Sequence, residues 1–199
     1  MKGMTAWNRV LRDQFEWHWE HQVRSRLYAL TDEEYFWEPV AGAWSVRPRG
    51  TAITSMAAGA DELVIDWDYP EPTPAPVTTI AWRLGHVIVG VLGMRNAAHF
   101  GREPVDYSTF SYASTAAGAL AQLERELDAW LDGVRRLGED GLDRPCGPSE
   151  GPFADAPLAT LVLHIHRELI HHLAEVSLLR DLYAHPRRPV FSVSPSPRS

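Results

Sequence analysis

The sequence predicts an all-α fold, a four-helix bundle with a long connector between the first and second long helices. Three observations predict it. Four long stretches place apolar side chains at three- and four-residue spacing, prolines concentrate between them, and no stretch sustains the two-residue alternation of a half-buried strand. At 199 residues the chain fits one domain, expected over 1–185, and the Ser/Pro-rich end "FSVSPSPRS" leaves 186–199 as a tail expected to be disordered.

Each element follows from local signals. Residues 5–29 carry Trp7, Val10, Leu11, Phe15, Trp19, Val23 and Leu27 on one helical face, the first long helix. Thr31, three residues before Glu34, has capping-box spacing and starts a short helix that Pro39 closes. Residues 41–51 form a Gly/Pro loop, 53–66 is a helical candidate, and the four prolines of "DYPEPTPAPV" make 68–77 a connector. The second long helix spans 78–100, capped by Thr78 or Thr79 and ended near Gly101. The third, 114–137, presents Leu120, Leu123, Leu127, Trp130, Leu131 and Val134, and the fourth, 155–183, presents Leu158, Val162, Ile165, Leu169, Val176 and Leu179.

Composition narrows the function classes. With 45% hydrophobic and 23% charged residues the chain reads as a soluble globular protein. A formal net charge of -7 and dispersed arginines argue against nucleic acid, which needs a clustered basic surface. The longest apolar run, "HVIVGVLGM", is too short and glycine-rich to cross a bilayer, and residues 1–10 hold no signal-peptide core, so the expected location is the cytoplasm, with no membrane partner. The single cysteine, Cys146, excludes an intramolecular disulfide and a multi-cysteine zinc site, and in the loop "DRPCGPSEGP" it reads as an incidental thiol. Lys2 is the only lysine among 19 basic residues, and abundant Arg, Ala, Gly and Pro match GC-rich codons, an association with high-GC bacteria such as actinobacteria.

The chemistry concentrates in "HIHRELIHHLAEVSLLRDLY", which puts four histidines and two glutamates into a core helix. At ~100° per residue, Glu168 and His172 fall beside the column of Leu161 and Leu179, on the edge of the buried face, while His164 and Glu175 turn toward solvent and His171 further out. A carboxylate and an imidazole four residues apart stand one turn apart and can ligate one divalent ion. A third ligand must come from another helix, and His86 in "IAWRLGHVIVGVLG" is the candidate, with Gly90 and Gly93 leaving room for a close neighbour. The plainer alternatives are a core histidine bonded to a carbonyl at 86 and a structural hydrogen bond between Glu168 and His172, with Arg167 or Arg180 as partner. His18 and His21 on the first helix read as a polar face. No HExxH motif is present, and the one ExxH, Glu168 with His171, lacks the second copy of a di-iron bundle.

The order of the first helix, "LTDEEYFWEPVAGAWSV", "TIAWRLGHVIVG" and "HIHRELIHHLAEVSLLRDL" resembles the DinB-like superfamily, which includes mycothiol-dependent maleylpyruvate isomerases and bacterial thiol S-transferases. The resemblance runs from about Trp7 to Tyr183. It implies a divalent metal, usually zinc or nickel, held by His86, Glu168 and His172. Many members have histidine where Glu168 stands, whereas the mycothiol-dependent isomerases use glutamate, as here. Trp44 and Ser45 match a tryptophan-serine pair implied to be structural support or pocket wall. The implied function is a metal-dependent enzyme, a thiol S-transferase or isomerase. It would use mycothiol or another low-molecular-weight thiol on a small electrophilic substrate. The alternative is a non-catalytic metal- or small-ligand-binding stress-related protein. Family members are often homodimers. Within this reading His164, His171 and Glu175 are outer-partner or pocket candidates, with Glu175 expected to accept from a metal-bound imidazole, and Arg83 or Arg167 could bind carboxylates of the thiol.

Overall fold

The computed structural model describes residues 5–185. It is mostly helical, and four long helical runs share one core that includes Phe15, Leu84, Leu123, Trp130, Leu169 and Leu173. The expected tail, 186–199, lies outside the described residues.

Helix α1 covers residues 7–27 as Trp7–His18, a π turn Trp19–Val23, and Arg24–Leu27. Its buried residues Phe15, Trp19, Val23 and Leu27 recur every four positions. Such a spacing drifts around a regular α-helix, and the wider π turn slows the drift and keeps them on one face. Trp7 does not join this stripe as expected; it is 59% exposed. The buried residue there is Asn8, which donates to the carbonyls of Val134 (2.7 Å) and Gly138 (3.2 Å). The amides of Trp7 and Asn8 donate to Glu139, each at 3.0 Å, so a carboxylate from another helix caps an N-terminus whose own Ala6 cannot.

Helix α2, Asp32–Tyr35, has the capping box that Thr31 and Glu34 predict. It ends at Tyr35 rather than running to Pro39. Helix α3 covers residues 80–100 as Ile80–His86, a π turn Val87–Gly93, and Met94–Phe100. Thr79 caps its start by accepting from the Trp82 amide, and Gly101 ends it at φ 70°. Helix α4, Ala116–Leu142, is capped by Thr115 and broken at Gly138, whose φ of 61° falls one residue past the expected end at 137. That break aims Glu139 at α1. Helix α5, Leu158–Ala184, crosses the core and packs against α1, α3 and α4.

The connector differs from expectation. Residues 53–66 are not helical. Strand β1, Val46–Pro48, pairs antiparallel with β2, Leu63–Ile65, with Val46 opposite Ile65. The reason is local: Asp66 is fully buried and gathers the chain around its carboxylate. It accepts from the amides of Ser45 (2.9 Å) and Ile53 (3.2 Å) and from Arg47 Nε (2.7 Å). These partners surround it only if 53–66 folds back on 45–47, which a helix would prevent. Ser45 also receives Thr79 Oγ1 at 3.0 Å and Trp44 bridges to residues 77–79, so the Trp44-Ser45 pair fastens the connector to the start of α3.

His166, one of the four histidines of α5, belongs to the core. It is 5% exposed, stacks on Phe15 at 5.2 Å, and burial pushes its pKa down to about 4.

Candidate metal centre

His86 closes the first α-helical stretch of α3, one residue before the π turn. π turns widen a helix locally and occur often where side chains must be re-aimed at a functional site. Trp82, one turn earlier, stacks on the imidazole at 5.3 Å and 15°, and is itself fixed by donating Nε1–H to the carbonyl of Asp66 at 2.8 Å. On the other side Tyr107, from the loop after α3, is hydrogen-bonded to His86 Nδ1 at 2.7 Å.

α5 brings His172 to the same place. The rings of His86 and His172 meet edge to face at 4.8 Å and 87°. His172 Nδ1 donates to Glu175 at 2.8 Å, and Arg83 Nε holds the same carboxylate at 3.2 Å. Glu168 Oε2 lies 3.6 Å from His172 Nε2. That is too long for a hydrogen bond, yet close to the ~3.4 Å that separates two donors around one tetrahedral ion with bonds of ~2.1 Å. Both imidazoles thus have Nδ1 engaged by an outer oxygen, the arrangement that leaves Nε2 for a metal. Two neutral imidazoles and a carboxylate are a donor set whose chemistry suits a divalent cation.

Burial keeps both rings neutral. It pushes His86 down to about 3, with repulsion from His172 whenever that ring is protonated, and from Arg83 and Arg95, adding to the effect. His172 is lowered too, first by burial, against the opposing hydrogen bond to Glu175. A neutral imidazole has the lone pair that a ligand needs, so no proton must be displaced at neutral pH.

Among the described residues the group of three whose ligand atoms all lie within 4.8 Å of one another is a different one that shares His172: His171, His172 and Glu175. It suits a metal less well. The His171 side chain is 63% exposed, and Glu175 already bonds Arg83 and His172. His164 contacts Arg167 and stands 3.6 Å from Glu168, at the margin of the site. Arg180 is not a partner of Glu168 or His172; it pairs with Glu34 at 3.0 Å. His18 and His21 bond within α1, to Gln22 and to the Trp17 carbonyl, away from the site.

Two residues escape the sequence pattern, Tyr107 and Arg95. Tyr107 sits in an aperiodic loop, but a trace of it is visible at Gly90. A Cβ there would lie 2.0 Å from the Tyr107 hydroxyl, so the neighbour for which the glycine leaves room is this phenol. Gly90→Ala is expected to push the hydroxyl off His86 and lower metal affinity about 10- to 100-fold, the usual cost of losing an outer partner. The fold should survive, because the displaced atom ends a side chain. Chelator competition alongside thermal melting checks both halves of the expectation.

A family model described as the DinB superfamily matches residues 14–176. The chain belongs to the DinB superfamily. A search of curated proteins found no match, and neither did a search of solved structures. Among the described residues no helix is long and apolar enough to cross a membrane.

Proposed function

We propose that this chain is a metal-dependent enzyme that uses a low-molecular-weight thiol, mycothiol-like in role, on a small electrophilic substrate. Its four long helices are read as a DinB-type four-helix bundle forming one domain over 1–185. His86, Glu168 and His172 hold the cation, zinc or nickel. The observation that carries the reading is the meeting of His86 and His172 at 4.8 Å, each with Nδ1 engaged, beside the Glu168 carboxylate. A bound divalent cation supplies the Lewis acidity that ionises a thiol, ordinarily of pKa ~8.5, at neutral pH.

The chain's own residues orient and shield this chemistry. Glu175, braced by Arg83, fixes the ring of His172, and Tyr107 with Trp82 fixes that of His86. The thiol has to come from outside. The only cysteine, Cys146, is buried in the loop between α4 and α5, where burial pushes its thiol up and away from the reactive thiolate.

The test is to load the protein with zinc or nickel and follow conjugation of mycothiol, bacillithiol or glutathione to a model electrophile. Turnover that needs both metal and thiol is expected. Stoichiometric metal without thiol-dependent turnover would sink the enzymatic half and leave the alternative, a metal- or small-ligand-binding protein.

A further inference from the structure

The groove between α3 and α5 opens beside His86 and Glu168 into a cavity of about 220 Å³, lined also by Arg95, Tyr107, Met94 and His164. Metal binding as described leaves Arg95 unused. Its Nη1 donates to the Gly90 carbonyl at 2.7 Å, inside the π turn, which anchors the guanidinium alongside the site. Its Nη2 stands 3.6 Å from Glu150, beyond hydrogen-bonding distance, and that carboxylate already bonds His99 Nε2 at 2.9 Å. Nε is buried and has no partner among the described residues. A guanidinium has five N–H donors in a fixed fork, and one buried donor left unbonded is costly. The positive charge also reaches the site: Arg95 adds to the lowering of His86 and partly opposes the rise that burial imposes on Tyr107.

Charge balance points the same way. Two neutral imidazoles and one glutamate around a divalent cation leave a single net positive charge, which one thiolate cancels. A further anionic group in the cavity would then face Arg95, whose charge Glu150 offsets only from a distance. Resting on the thiol reading above, we propose that Arg95 binds a carboxylate in this cavity, carried either by the thiol itself or by its electrophilic partner. At least one of the two reactants is therefore a small carboxylic acid.

Two arms of one calorimetric experiment separate the two carriers, both on full-length metal-loaded protein. In the first, mercaptoacetate and 3-mercaptopropionate are compared with 2-mercaptoethanol. In the second, propionate is titrated into protein saturated with 2-mercaptoethanol, against propionamide. A carboxylate preference of about 10- to 100-fold is expected in one arm, the worth of a charge-assisted hydrogen bond. It should vanish in Arg95→Gln, persist in part in Arg95→Lys, and weaken with ionic strength in the unaltered protein. The salt dependence needs no variant, so a poorly folding Arg95→Gln would not shelter the proposal. A preference absent from both arms, or one that survives in a folded Arg95→Gln, overturns it. Elemental analysis keeps the two failures apart. Protein that binds no metal overturns the thiol reading and this one with it, whereas metal-replete protein indifferent to Arg95 overturns this one alone.

Discussion

His172→Ala is expected to leave the purified protein without metal, lowering affinity for zinc or nickel by at least about 100-fold, more than loss of an outer partner costs. His86→Ala should do the same. The pattern across neighbours carries the information. His171→Ala is expected to retain one ion per chain, because its ring is exposed and stands outside the set. Glu175→Gln is expected to weaken binding about 10-fold, because it loosens the His172 ring without removing a ligand. Elemental analysis after dialysis, with chelator competition for the affinities, distinguishes the set His86, Glu168, His172 from the set His171, His172, Glu175. A His86→Ala protein holding stoichiometric metal would refute the first set.

Asp66→Ala is expected to give the largest loss of stability of any single change in the connector. The substitution strands Arg47 Nε and two backbone amides that bond the carboxylate, in a place where Asp66 is wholly shielded from water. Breaking a buried ion pair by removing one partner costs about 3–5 kcal/mol. At roughly 2–4 °C per kcal/mol for a chain of this size, Tm should fall by about 10 °C. Arg47 retains Glu38 and the Ala43 carbonyl, so its charge is not left wholly unpaired, and the lower end of that range is expected. Denaturant and thermal melts measure it; a loss under about 1 kcal/mol would show that the carboxylate is not the fastener described above.

How far the sequence foretells this molecule depends on how local the cause is. The long helices are legible because each has its own apolar stripe, and the caps at Thr31 and Gly101 because capping is a matter of three or four residues. The meeting of His86 with His172 could be anticipated from helical angle, since a residue on the buried edge must face another helix. What local patterns do not reveal are contacts made by irregular chain. Tyr107 reaches His86 from a loop with no period, and Glu139 caps α1 from the far side of a glycine break. The strand pair at 46–48 and 63–65 is three residues deep on each side, too short for alternation to register, and it forms because Asp66, next to β2, is satisfied by Ser45, just before β1, and Arg47, within it.

The π turn at Val87–Gly93 sets the phase of α3. A π turn holds one more residue than an α-helix would in the same length, so everything after Gly93 is rotated by ~100° relative to everything before Val87. The two halves of one helix can therefore serve different neighbours: His86 looks toward α5, while Asn96 donates to the Glu126 carbonyl of α4 at 2.9 Å. Deleting a single residue within 87–93 would restore a regular helix and force a choice between the two. The chain would keep its imidazole facing α5 or its asparagine facing α4, and the proposed ligand set and the packing of α3 on α4 would become rivals for the same rotation.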